Sequence, residues 1–138
     1  MLRVLVVDDS EGSAKTLGWA AELFGYDVRI ARDGLKAVEM ARAYLPHIML
    51  VDIGLPRMNG YEVCRSLKQY PEFQETVFIA QTGWDQEQHR MLSAEAGFHH
   101  HLIKPIDLMA LKTIMSSIES SSFSVTQCQN RVDQTRYG

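Results

Sequence analysis

At 138 residues and a formal net charge of −3, the chain has the length of one domain and no charge excess suited to a nucleic-acid or anionic membrane surface. Its two cysteines, Cys64 and Cys128, match no zinc or redox spacing and read as free thiols of a reducing compartment. No apolar run approaches the roughly 20 residues of a membrane span, and Met1-Leu2-Arg3 opens into a strand rather than a signal peptide, so a cytoplasmic protein is expected.

Arg3-Val4-Leu5-Val6-Val7 reads as a strand buried on both faces, and it ends in Asp8-Asp9. Ser13 is a candidate cap for the helix that follows, where Leu17, Ala20, Ala21 and Phe24 fall at helical spacing before Gly25 stops it. Tyr26 to Ala31 alternates apolar Val28 and Ile30 with polar Asp27 and Arg29, the pattern of a strand near a sheet edge. Asp33-Gly34 opens a helix running to about Tyr44. The apolar run Ile48-Met49-Leu50-Val51 then forms a third strand ending in Asp52, and the Gly/Pro/Asn-rich stretch Gly54 to Gly60 is a loop.

Val63, Cys64 and Leu67 mark a short amphipathic helix ended by Tyr70-Pro71. Thr76 to Ala80 is a fourth strand leading into Gln81-Thr82-Gly83. The next helix, Asp85 to Ala96, has a thin apolar face of Met91, Leu92 and Ala96. His99 to Ile103 is a fifth strand leading to Lys104-Pro105. Asp107 caps a helix with Leu111, Ile114, Met115 and Ile118 on one stripe. Beyond Glu119 the composition turns to Ser, Gln, Asn and Thr, which predicts a domain over 1–119 and a mobile polar tail over 120–138.

Strands alternating with helices imply parallel pairing, right-handed crossovers and helices on both faces of the sheet: a single doubly wound α/β domain. All carboxyl ends of a parallel sheet face one rim, where ligands bind. That rim gathers Asp8, Asp9, Asp52, Thr82 and Lys104. Taken alone, Asp52 is either a satisfied structural acid or the centre of a site. Three carboxylates in one pocket repel each other, and a hard divalent cation such as Mg²⁺ removes that repulsion. The cation would also bind a phosphoryl oxygen. Lys104 and Thr82 are then placed to take further oxygens, and Asp52 to act as an in-line nucleophile. A plain Lys–Asp salt bridge would leave two surplus acids unexplained.

Five segments in order, Val6-Val7-Asp8-Asp9, Leu50-Val51-Asp52, Leu55 to Gly60, Ala80-Gln81-Thr82-Gly83 and Leu102-Ile103-Lys104-Pro105, resemble the receiver domain of two-component response regulators over about residues 3 to 118. The resemblance implies a flavodoxin-like fold with a parallel five-stranded sheet in the order 2-1-3-4-5. It implies that Asp52 accepts a phosphoryl group from a histidine kinase or a histidine phosphotransfer protein. It implies Mg²⁺ held by Asp9, by Asp8 through water, by Asp52 and by the Gly54 carbonyl, with Thr82 and Lys104 on the phosphoryl oxygens. It implies a phosphoacceptor signalling domain that catalyses only its own phosphorylation and dephosphorylation. The signal would leave through the fourth helix, fifth strand and fifth helix, a face that can also serve a homodimer. Nucleic acid and membrane are not expected partners.

The sequence departs from the family pattern at three positions. His101 stands where a switch aromatic is usual, Gly54 has no side chain two residues after the acceptor, and Trp84 stands two after Thr82 where polar groups are frequent. The stretch from Thr82-Gly83-Trp84 to the histidine run also looks like the receivers of hybrid histidine kinases. His99-His100-His101 offers at most His99 and His101 to one ion, since neighbouring strand residues face opposite sides; surface histidines of an edge strand are the expectation. Asp33, Asp85 and Asp107 are expected as helix caps without chemistry. A haloacid-dehalogenase-type hydrolase would want Asp-x-Asp on the first strand, where the acids here are adjacent. A flavin-phosphate module would meet three repelling acids and lacks a phosphate loop. A receiver-like scaffold that is never phosphorylated would have no need of the full acceptor set.

Overall fold

The computed structural model describes residues 2–83 and 87–131, with side chains over 2–83 and 91–120. The chain divides into two compact units, Met1–Ile106 and Asp107–Gly138.

The first unit holds five parallel strands: β1 (Arg3–Val7), β2 (Asp27–Ala31), β3 (Ile48–Asp52), β4 (Val77–Thr82) and β5 (His100–Ile103). Their order is β2-β1-β3-β4-β5, the doubly wound arrangement expected. Four helices connect them: α1 (Glu11–Leu23), α2 (Gly34–Tyr44), α3 (Gly60–Lys68) and α4 (Glu87–Ala96), with a 3-10 turn at Pro71–Phe73 before β4. β3 is buried along its whole length, and β1 from Val4 to Val7, as strands covered on both faces must be. β2 alternates exposed Asp27 and Arg29 with half-buried Val28 and Ile30, and it lies at the sheet edge.

The main apolar cluster joins Leu5, Val7, Met49, Val51, Phe78 and Ala80 of the sheet to Ala37 and Ala41 of α2, Val63, Cys64 and Leu67 of α3, and Ala96 of α4. Each large aliphatic side chain so buried contributes about 1.5–3 kcal/mol. Cys64 is free and buried inside this cluster; burial outweighs the pull of Lys68 and Arg65 and pushes its thiol up to about 12. It is an inert core residue, as the spacing indicated.

Local chemistry sets the helix ends. Asp33 caps α2 by accepting from the Lys36 amide, and Asp107 accepts from the Met109 amide. The α1 cap is Ser10 rather than Ser13: the Ser10 side chain accepts from the Ser13 amide, so the helix starts three residues earlier than its apolar spacing suggests. α3 likewise starts at Gly60 because Asn59 and Glu62 form a reciprocal capping box. At Gly60 a Cβ would lie 2.6 Å from the Asp52 carbonyl oxygen and 2.8 Å from Ile53 Cα, so only glycine lets α3 begin against the end of β3.

In the second unit α5 runs from Leu108 to Arg131, with Leu111, Met115 and Ile118 of the expected stripe buried. Its backbone is helical through 120–131, where a mobile tail was expected. No Gly or Pro interrupts that stretch, and Ser, Gln and Asn each cost a helix only a few tenths of a kcal/mol, up to about 0.7, relative to Ala. Residues 132–138 and the cap expected at Asp85 lie outside the described residues. No helix among the described residues is long and apolar enough to cross a membrane.

Candidate functional site

β1, β3, β4 and β5 end on one rim, and their last residues supply the site. One carboxylate oxygen each from Asp8, Asp9 and Asp52 lie within 4.8 Å of one another, and no other group of this kind occurs among the described residues. Asp8 is wholly buried and Asp52 nearly so, at 0% and 8% exposure, whereas Asp9 is exposed. Burying two carboxylates so close together is unfavourable unless their charge is met.

Lys104, carried past the end of β5, meets part of it. Its Nζ lies 2.8 Å from Asp52 Oδ2 and 3.4 Å from Asp8 Oδ2. Burial alone would push the Lys104 ammonium down, but its hydrogen bond and charge contact with Asp52, and then with Asp8, hold it above the usual lysine value. The Lys104 amide donates to the Thr82 carbonyl at 2.7 Å, which ties the approach of this lysine to β4. Thr82 is buried at the end of β4, one residue beyond the pairing of Gln81 with Asp52.

Backbone amides fix the remaining oxygens. Gly54 N–H donates to Asp52 Oδ1 at 3.0 Å, and Ser10 N–H donates to Asp8 Oδ1 at 3.0 Å. With both oxygens engaged, neither buried carboxylate is free to swing. The rim therefore sets three carboxylates against one ammonium. The two negative charges left over are what one divalent cation cancels, and an all-oxygen donor set suits Mg²⁺. A Cβ built on Gly54 would meet only Asp52 Oδ1, at 3.8 Å, so space lies open beside the acceptor candidate.

His101 belongs to a different neighbourhood. It is half-buried on β5, and its Nδ1 lies 3.0 Å from Oγ of Ser93, a buried residue of α4. The expectation of surface histidines holds for His99 and His100 but not for His101. His99 is exposed overall, yet its Nδ1 accepts from the Phe78 amide at 3.0 Å. Nδ1 of each of these two rings is engaged within the protein, with the Phe78 amide for His99 and with the Ser93 hydroxyl for His101. Trp84 lies outside the described residues.

Asp8, Asp9, Asp52 and Lys104 are thus brought together as expected, with Gly54 against Asp52 and Thr82 on the adjoining strand end. Three participants escaped the sequence reading. Ser10 orients Asp8 and caps α1, and its only signal was a Ser beside the acids. Ser93 gave no signal, being a lone serine in a helix with a thin apolar face. Arg32, which donates to the Asp9 carbonyl at 2.8 Å, lay in a turn twenty-odd residues away in sequence.

Comparison with known proteins decides what this rim belongs to. Residues 4–116 match the model of the response regulator receiver domain. The chain belongs to that family. Response regulator PleD of Caulobacter vibrioides is 33% identical over 129 residues, covering 94% of this chain and 28% of PleD. Across PleD and the mycobacterial response regulator MprA, this chain spans 28% to 50% of the length of the relative. Among solved structures, the chemotaxis protein CheY4 of Vibrio cholerae shares the fold with a TM-score of 0.81 at 23% identity, covering 86% of this chain and 98% of that one. The signal receiver domain of a signal transduction histidine kinase from Syntrophus aciditrophicus is 27% identical with a TM-score of 0.81, covering 88% of this chain and 92% of that one. The receiver domain is a signalling domain of two-component systems, and family membership displaces the dehalogenase and flavin-module alternatives.

Proposed function

We propose that this receiver, spanning residues 1–119, accepts a phosphoryl group on Asp52 from a phosphohistidine of a histidine kinase or histidine phosphotransfer protein. An Asp52 carboxylate oxygen attacks phosphorus, the P–N bond to the donor imidazole breaks, and the imidazole leaves with the electron pair. Lys104 neutralises a phosphoryl oxygen, and the Thr82 hydroxyl donates to another. Asp8, Asp9, Asp52 and the Gly54 carbonyl are the groups to hold Mg²⁺, which supplies charge neutralisation for the transferring phosphoryl group. The observation that carries this reading is Asp52 itself: it is pinned by Lys104 and the Gly54 amide within 4.8 Å of two further acids.

Lys104 has a second role in the same reading. Its bonds to Asp52 and Asp8 share one ammonium between two buried acids, so a phosphoryl group on Asp52 competes for the same cation. Thr82 would close on the phosphoryl group, and His101, bonded to Ser93, would answer through β5 and α4. Output through α4, β5 and α5, homodimerisation through those elements, and a cytoplasmic location belong to the same proposal. In this reading the receiver's own chemistry is its phosphorylation and dephosphorylation.

Acetyl phosphate with Mg²⁺, read by intact mass, tests it. The parent protein is expected to gain one phosphoryl mass, and neither Asp52→Asn nor the parent in excess chelator should gain it. Labelling of Asp52→Asn, or full labelling without metal, rejects the assignment.

A further inference from the structure

Asp9 is the exposed member of the acidic trio, so its position depends on how its backbone is held. The Asp9–Ser10 peptide group is gripped at both polar ends. Its N–H, from Ser10, donates to Asp8 Oδ1 at 3.0 Å, and its C=O, from Asp9, accepts from Arg32 Nη2 at 2.8 Å. A peptide plane held on both sides is restrained, and with it the direction of the Asp9 Cα–Cβ bond from which the carboxylate projects toward the cluster.

Arg32 is well placed for the task. It follows the last residue of β2, and the Asp8 amide donates to the Ala31 carbonyl at 3.1 Å, so the backbones of the two turns already touch. The guanidinium then reaches one residue further along the β1–α1 turn. It is exposed, and its charge is also felt by Glu11 on the first turn of α1.

We infer that Arg32 is a positioning residue for the metal site: by holding the Asp9 carbonyl it fixes the Asp9–Ser10 peptide and so aims the Asp9 carboxylate at the cation. The inference rests on the proposed Mg²⁺ site. It has a rival that makes the opposite prediction. A cation beside a Mg²⁺ pocket repels Mg²⁺, and if Arg32 acted by charge alone its removal would tighten binding. If it acts by holding the peptide, its removal weakens binding despite the lost repulsion, since groups that orient metal ligands commonly carry about 10- to 100-fold in affinity.

Mg²⁺ binding by calorimetry and Ser10 amide hydrogen exchange in chelator, on the parent, Arg32→Met and Arg32→Lys, decide between them. Expected for Arg32→Met are Mg²⁺ affinity lowered roughly three- to tenfold and faster Ser10 exchange without metal. Arg32→Lys keeps the charge but not the planar, longer donor, and is expected to fall between Arg32→Met and the parent in both readouts. Equal or tighter Mg²⁺ binding by Arg32→Met, or unchanged Ser10 exchange, overturns the inference. Failure of the parent to bind Mg²⁺ would instead overturn the proposed metal site, while the exchange measurement still passes or rejects the clamp on the peptide. Arg32 is exposed, so neither variant removes core packing.

Discussion

Asp8 and Asp9 are neighbours in sequence with opposite surroundings, and their substitutions should differ in sign. Asp8 is wholly buried and holds Ser10 N–H and part of Lys104. Asp8→Ala leaves the Ser10 amide and the Lys104 ammonium less well paired, at a cost of about 2 kcal/mol. Asp9 is exposed and contributes mostly repulsion to an acidic trio without metal; Asp9→Ala should gain up to about 1 kcal/mol in chelator. Thermal melts in chelator check the two signs; equal losses for both would mean that Asp9 has a structural partner. Beside them, Gly54 offers no side chain to orient a water toward a phosphorylated Asp52, and the space there is open. The phosphorylated form should therefore persist for minutes or longer, and Gly54→Asn should speed its decay by about tenfold. A decay series after removal of the phosphodonor measures this, and an unchanged rate for Gly54→Asn counts against water placement as the limiting factor.

At the scale of elements, two strands begin in the same way. His47, just before β3, accepts the Arg3 amide at Nδ1 (2.9 Å), and His99, just before β5, accepts the Phe78 amide at Nδ1 (3.0 Å). A nitrogen that accepts must be unprotonated, so both bonds require neutral imidazole. Burial, with the charge of Arg3 and the chain's amino terminus, holds His47 below the usual histidine value of 6.5; burial, with Lys68 and His100, does the same for His99. In the unfolded chain both rings bind protons at higher pH than in the folded one. Stability contributed by these rings is thus complete above about pH 6.5 and declines as pH falls below it. Denaturant midpoints between pH 7 and 5.5 should fall. A His47→Asn, His99→Asn protein, which keeps an acceptor that does not titrate in this range, should show a shallower decline. An equal slope in both proteins would place the acid sensitivity elsewhere.

For the whole molecule, the rim is a reservoir of unfavourable charge that the proposed Mg²⁺ would relieve. A cation bound only by the folded chain adds about 2.7 kcal/mol at a hundred times its dissociation constant. Mg²⁺ should accordingly raise the melting temperature by several degrees. Asp9→Ala and Asp52→Asn should each lose most of the rise; a full rise in Asp9→Ala would remove Asp9 from the ligand set.

Parallel pairing of the strands was already legible in the chain's own pattern, whereas their order, β2-β1-β3-β4-β5, was implied by the resemblance to receivers. Runs such as Val4–Val7 and Ile48–Val51, separated by helical spacings, pack in few ways, and handedness then sends Asp8, Asp9, Asp52, Thr82 and Lys104 to one rim. These residues were legible because a parallel sheet converts strand ends, which are local, into a shared place. What the tertiary structure alone decided was how each acid is held and by what. Asp8 and Asp9 are adjacent letters, yet one is sealed under Lys104 and the other stands in solvent, a difference set by chain packing rather than by residue type. Ser93 meets His101, and Arg32 meets the Asp9 carbonyl, across turns whose side-chain reach has no periodic trace in the sequence. The helix through 120–131 likewise had no apolar period to announce it, only the absence of a residue that would stop it.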